Sequence, residues 1–294
     1  MRIFIYSRIL KKTDIPTLQE LTSILDEFKI DYLFPRQYWQ QIEAAKAMDG
    51  FHEVIDEGQD LKKKEVDMII TLGGDGTILG CLKWVRDTEI PILGINLGRM
   101  GFLADVEKTK IRFAIESVIA GRYNLDKRSL IKLDSNVPLF GVLPYALNDF
   151  TLLKRDTSSM VTIHAYVNGD YLNTYWSDGI IVSTPTGSTG YSLSCGGPII
   201  FPSSNNFAVT PVAPHNLNVR PIVIPDDAVV SFEIEGRAEN FLCTLDSRFE
   251  TISSSVKLAV KKANFSLALV QLEEGHFLQT IRDKLTWGMD KRNR

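Results

Sequence analysis

Residues 68–80 read MIITLGGDGTILG, and no other stretch constrains the fold as tightly. An apolar run enters a turn of Gly73, Gly74, Asp75, Gly76 and Thr77, and a helical pattern follows. A buried strand that passes straight into a helix belongs to a layered α/β domain. The glycines let backbone N–H groups approach an anion with no Cβ in the way. The helix N-terminus adds unpaired donors and the positive end of a dipole. The turn therefore reads as a phosphate-handling element. Asp75 is out of place in a site that only holds phosphate, because a carboxylate repels phosphate unless it binds a metal or takes a proton. The competing reading is a tight turn with Asp75 as N-cap. Neither common nucleotide fingerprint applies. No Gly-Lys pair occurs in the chain, and glycines at 74, 76 and 80 miss G-x-G-x-x-G.

The flanking chain repeats the alternation of strand and helix. Residues 2–6 form a strand pattern. Asp14 and Pro16 then open a helix that carries Leu18, Leu21, Ile24, Leu25 and Phe28 at helical spacing. A short strand over 32–34 and a helix near 37–48 follow. The apolar run 91–95 enters a second glycine cluster at 96–102, and a helix over 109–120 ends at Gly121. These features predict a parallel, layered α/β domain over residues 1–125, with ligands beyond the carboxyl ends of its strands. From 126 to 272 the pattern is short alternating runs separated by turn residues. Residues 160–166 followed by Asn168-Gly169 are a hairpin signal. This predicts an all-β C-terminal domain. Phe277, Ile281 and Leu285 restore a helical period in a tail of 273–294, expected to pack back on the first domain.

Bulk properties narrow the function. A net charge of -3 over 294 residues argues against a nucleic-acid binder that works by general basicity. No apolar stretch reaches the ~18 residues of a membrane span. The first residues read as a strand rather than a signal peptide. Three widely spaced cysteines make neither a disulfide framework nor a zinc site, and four histidines lack ligand spacing, so no protein-held metal is expected. The expected location is cytoplasmic.

Two further stretches carry chemistry. Residues 177–198, SDGIIVSTPTGSTGYSLSCGGP, run from a strand into seven Ser and Thr hydroxyls between positions 183 and 194. Such density of hydroxyls and free amides suits sugar and phosphate oxygens, while the alternative is a polar linker. Asn148-Asp149 could read an amide or a ribose, or could simply turn the chain.

Together these residues resemble the NAD kinases, which transfer a phosphoryl group to the 2′-hydroxyl of the NAD adenosine ribose to give NADP. The likeness runs through LGGDGTIL, LGINLGRMGFLADV, Asn148-Asp149, residues 177–198, APHNLNVRPIVIP, Asp246-Ser247 and Leu285-Thr286-Trp287-Gly288. The first motif is shared with lipid kinases of the diacylglycerol type and with phosphofructokinases. A related kinase acting on a lipid or small-molecule hydroxyl is therefore the alternative, and residues 177–198 argue against it. The resemblance implies that Asp75 accepts the 2′-hydroxyl proton, which accounts for its place in the turn. Gly73, Gly74, Gly76 and Thr77 would hold phosphate. NAD would contact Asp75, Gly76, Phe102, Asn148, Asp149, Asp178, Thr189, Gly190, Tyr191, Ser192, Leu193, Ser194, Ala213 and Arg248. ATP and a divalent cation, usually Mg²⁺, would supply the phosphoryl group in a homodimer or homotetramer. Four positions depart from the family pattern. Asp149 replaces Glu, Gly190 replaces Ala, Trp176 stands where many relatives are basic, and Arg248 replaces a polar amide.

Overall fold

The computed structural model describes residues 1–98, 101–155, 160–235, 240–272 and 277–287. Arg99, Met100 and Gly288 of the motifs above lie outside the described residues, as do 273–276 and 289–294 of the tail. The chain divides into two compact units, Met1–Lys127 with Leu267–Arg294, and Arg128–Ser266.

The first unit contains strands β1 (Arg2–Tyr6), β2 (Asp31–Pro35), β3 (Glu53–Ile55), β4 (Met68–Gly73), β5 (Ile92–Asn96) and β6 (Val106–Glu107). Its helices are α1 (Ile15–Glu27), α2 (Arg36–Ala44), α3 (Asp75–Val85) and α4 (Ile111–Ile119). All its strand pairs are parallel. The order β5-β4-β1-β2-β3 runs outward from β1 in two directions, so the topology reverses between β1 and β4. β4 and β5 are buried almost throughout because helices need apolar surface on both faces of a parallel sheet. α1 buries Leu18, Leu21, Ile24 and Leu25, each side chain worth about 1.5–3 kcal/mol of burial. Asp14 stands at its N-cap without a capping bond, and its carboxylate accepts from Thr13 instead.

The chain continues through β7 (Asn124–Ser135), β8 (Tyr145–Ala146), β9 (Asp149–Lys154), β10 (Val161–Val167), β11 (Asp170–Ser177) and β12 (Gly179–Ser183). After the single-turn helix α5 (Tyr191–Ser194) come β13 (Asn206–Val212), β14 (Ile222–Pro225), β15 (Val230–Glu235), β16 (Phe241–Leu245), β17 (Arg248–Ile252) and β18 (Leu258–Gln271). In the second unit one antiparallel sheet has the order β14-β13-β12-β9-β16-β17. The order β11-β10-β15-β18 forms another antiparallel run, with β7 pairing β18 and β8. Inward residues alternate along β15 and β16, and Phe150 stacks on Phe232 in the core at 5.6 Å. The β10–β11 hairpin turns at Asn168 and Gly169, both at positive φ as a two-residue turn requires. From Leu267 the chain belongs to the first unit again, where Leu269 pairs with Ile92. The tail helix α6 (Phe277–Leu285) lies in this unit and buries Ile281.

Candidate active site

β4 delivers the glycine turn to the carboxyl edge of the parallel sheet, beside the point where the strand order reverses. Gly74 is the N-cap of α3, and Asp75 is its first residue. A Cβ on Gly73 would fall 2.0 Å from Thr77 Oγ1, so that glycine admits the close turn. Nothing stands within 4 Å of a Cβ position on Gly74, and only Arg8 Nη1, at 3.9 Å, does so at Gly76. Both face a cavity of about 630 Å³. Ser7, Arg8 and Lys11 line it from the β1–α1 connection, and Asn96 and Gly98 from the end of β5. Among the described residues neither Arg8 nor Lys11 forms an ion pair. Open glycine amides, a helix N-terminus and two cations make this space complementary to a polyphosphate.

Asp75 does not cap its own helix. Its carboxylate instead crosses to the second glycine cluster and accepts three successive backbone N–H groups. Phe102 donates to Oδ2 at 2.8 Å, and Leu103 and Ala104 donate to Oδ1 at 3.0 and 3.2 Å. An ionised carboxylate has about four lone-pair sites. Three are used, and the fourth is on Oδ2. Gly101 makes the approach possible, since a Cβ there would sit 1.7 Å from Asp75 Oδ1. The half-buried Phe102 ring lies 6.2 Å from the Phe277 ring, with Lys284 Nζ 4.9 Å from its centroid.

The second unit repeats the device. Asp246, in the turn between β16 and β17, adopts φ 53°, a left-handed conformation that Asp tolerates. Its carboxylate accepts the N–H groups of Leu147, Asn148 and Asp149 at 3.0, 2.7 and 3.3 Å. On the other side the hydroxyl-rich stretch is stitched to the same residues. Thr184 N donates to the Asn148 carbonyl at 2.9 Å, and Thr184 Oγ1 donates to that of Leu147 at 2.6 Å. Gly187 allows this contact, because a Cβ there would lie 2.1 Å from the Asn148 oxygen. Asp149 is 8% exposed, and burial, then the neighbouring Asp246 carboxylate, pushes it up to about 7. Burial also raises Asp246, against the pull of its three amides.

Most of the seven hydroxyls point inward. Thr184, Ser188 and Ser192 are fully buried and bonded within the unit, Ser192 to Thr210 at 2.9 Å, and Arg128 donates to Thr186. Their density builds a rigid turn. Tyr191 and Ser194 are exposed, and Thr189, Gly190 and Leu193 lie near them at the end of the turn. Asp178 pairs with Lys154 at 2.5 Å. Ala213 holds φ 45°, a strained conformation at the end of β13. The Arg248 guanidinium, placed by the sequence against substrate, donates to the carbonyls of Leu143 and Tyr145 and lies over the Phe140 ring at 5.7 Å. Nothing in the sequence marked Arg8, Lys11, Gly101 or Gly187 for these positions. Glycine-for-space and loop-borne cations have no spacing signature.

Residues 3–123 match the family model described as the ATP-NAD kinase N-terminal domain, and residues 147–272 match the ATP-NAD kinase C-terminal domain. The chain is 46% identical to the NAD kinase of Cytophaga hutchinsonii over 290 residues, covering 98% of this chain and 99% of that one. It is 41% identical to the NAD kinase of Flavobacterium psychrophilum over the full length of both. In fold it resembles a yeast NADH kinase complexed with NADH, at a TM-score of 0.84 and 20% identity over 98% of this chain and 88% of that one. It also resembles an Archaeoglobus fulgidus NAD kinase in complex with ATP, at a TM-score of 0.72 and 21% identity over 97% and 99%. With both halves matched in order and relatives aligned end to end, the chain belongs to the NAD kinase family.

Proposed function

We propose that this protein transfers the terminal phosphoryl group of ATP to the 2′-hydroxyl of the adenosine ribose of NAD, giving NADP and ADP. The observation that carries the reading is the Asp75 carboxylate, held by three amides with one site free on Oδ2 beside the open glycine turn. The 2′-hydroxyl gives its proton to Oδ2 as its oxygen bonds to the γ-phosphorus. The bond from that phosphorus to the bridging oxygen breaks, and ADP leaves with the electron pair. Gly74, Gly76 and the start of α3 supply N–H groups toward the phosphates, and Arg8 and Lys11 neutralise them. No group of three or more metal-ligating side chains occurs among the described residues. A divalent cation such as Mg²⁺, proposed as the companion of ATP, would be carried chiefly by the triphosphate and would screen its charge. Asn148, Asp149, Asp178, Thr189, Tyr191, Ser194 and Ala213 are the proposed NAD contacts.

The proposed assembly is a homo-oligomer. Trp176, Leu217 and Ile222 line a second cavity of about 730 Å³ in Arg128–Ser266, and Trp176 and Leu217 are 53% and 89% exposed. Trp176 and Ile222 stand on the edge strands β11 and β14 and Leu217 in the loop before β14, and exposed apolar residues at sheet edges favour self-association. No described helix is long and apolar enough to cross a membrane. The three free cysteines fit the cytoplasm.

Incubation with NAD, ATP and Mg²⁺ tests the reading, with NADP as the expected product. Asp75→Asn should lower kcat ~10²–10⁴-fold while NAD still binds. Unchanged kcat in this variant would remove Asp75 from the reaction.

A further inference from the structure

The two oxygens of Asp75 are secured differently. Oδ1 accepts from Leu103 and Ala104, which are 6% and 0% exposed and anchored in the core of the first unit. Among the described residues Oδ2, the oxygen with the free site, accepts only from Phe102. Phe102 follows Gly101, which offers the backbone little local restraint. Its ring is only half-buried and depends on what touches it. Phe277 and Lys284 of α6 do so, at 6.2 Å between ring centroids and 4.9 Å from Nζ to centroid. The two are seven residues apart, about two helical turns, and so lie on one face. Ile281 stands between them on that face and, at 2% exposed, is the buried residue of the helix.

We infer that α6 is a positioning element for phosphoryl transfer. Phe277 and Lys284 hold the Phe102 ring, and the Phe102 N–H then fixes the direction in which Asp75 Oδ2 points. This rests on the reading of Asp75 as proton acceptor. A misplacement of about 1 Å at a reacting atom can cost ~10²-fold in rate. Aromatic pairs and cation–π contacts favour particular ring orientations and so bias where the Phe102 ring sits.

The test uses the full-length protein and NADP formation. Phe277→Ala and Lys284→Met should each lower kcat, about tenfold for the former, with KM for ATP within about twofold of the parent. Lys284 is exposed, so its variant folds normally. Phe277→Tyr, which keeps the ring, should restore kcat. In an Asp75→Asn background Phe277→Ala should cost nothing further, because the group it positions is gone. An equal loss in both backgrounds, or an unchanged kcat in Phe277→Ala and Lys284→Met, overturns the inference. Should Asp75→Asn itself keep full activity, the reading of Asp75 fails instead, and the two failures are told apart.

Discussion

Asp75 and Asp246 solve one problem in two places. Each is a carboxylate that gathers three consecutive amides of a loop distant in sequence. Asp149 lies beside Asp246, and burial, then this like charge, raises it to about 7 against ~3.9 in an unfolded chain. Between pH ~4 and ~7 the folded protein therefore keeps a proton that the unfolded chain has released. Stability falls as pH rises through this window and is level above it. At ~1.4 kcal/mol per tenfold change, the ceiling on this loss is about 4 kcal/mol, shared between the coupled carboxylates. Asp149→Asn cannot ionise. Its urea midpoint should fall less between pH 5 and pH 8 than that of the parent, and equal falls would refute this origin. Asp75 was legible in the sequence because a carboxylate among phosphate-binding glycines is a chemical contradiction. Its partners were not legible, since Phe102–Ala104 act through backbone that any residue could supply. The surroundings of Arg248 were not legible for a related reason. A lone Arg after Asp246-Ser247 reads as a phosphate ligand, but its fork fits two carbonyls of its own unit equally well.

At the scale of elements, strands were legible where burial imposes a period. The runs at β1, β4 and β5 and the Asn168-Gly169 hairpin follow from apolar patterning and turn chemistry alone. Helix ends were not legible. α3 starts at Asp75 and not at Thr77, because Gly74 provides the extended N-cap and Asp75 is free to bond elsewhere. The hydroxyl-rich stretch follows β12, and most of its oxygens serve the turn itself rather than facing outward. Composition reveals polarity, not direction. The turn depends on Gly187, and Gly187→Ala should push it off Asn148. Overpacking of this kind costs about 1–3 kcal/mol. A lower melting temperature with a raised KM for NAD and an unchanged KM for ATP is expected. An unchanged KM for NAD would separate the turn from NAD binding.

The whole molecule was readable as a parallel α/β region followed by antiparallel sheet because each region has its own hydrophobic period. The return of Leu267–Arg294 to the first unit was signalled only by the helical pattern after Phe277. Self-association had no sequence signal beyond the resemblance, since isolated exposed apolar residues are common on any surface. Leu217→Glu and Trp176→Lys place charges on the exposed apolar residues of this cavity in the second unit and should convert an oligomer to monomers by light scattering. An unchanged mass in both variants would move the interface elsewhere.

The amide cradle at Phe102–Ala104 also alters what evolution can do with the residue it holds. Reactive groups are often a burden on folding, and stability commonly rises when they are replaced. Asp75 runs the other way. Without its carboxylate, three partly buried N–H groups lose their acceptor, and each such orphan costs about 1–3 kcal/mol. A drift that removes this carboxylate also loosens the loop, so selection for a sturdy protein alone would tend to retain the acid proposed as proton acceptor.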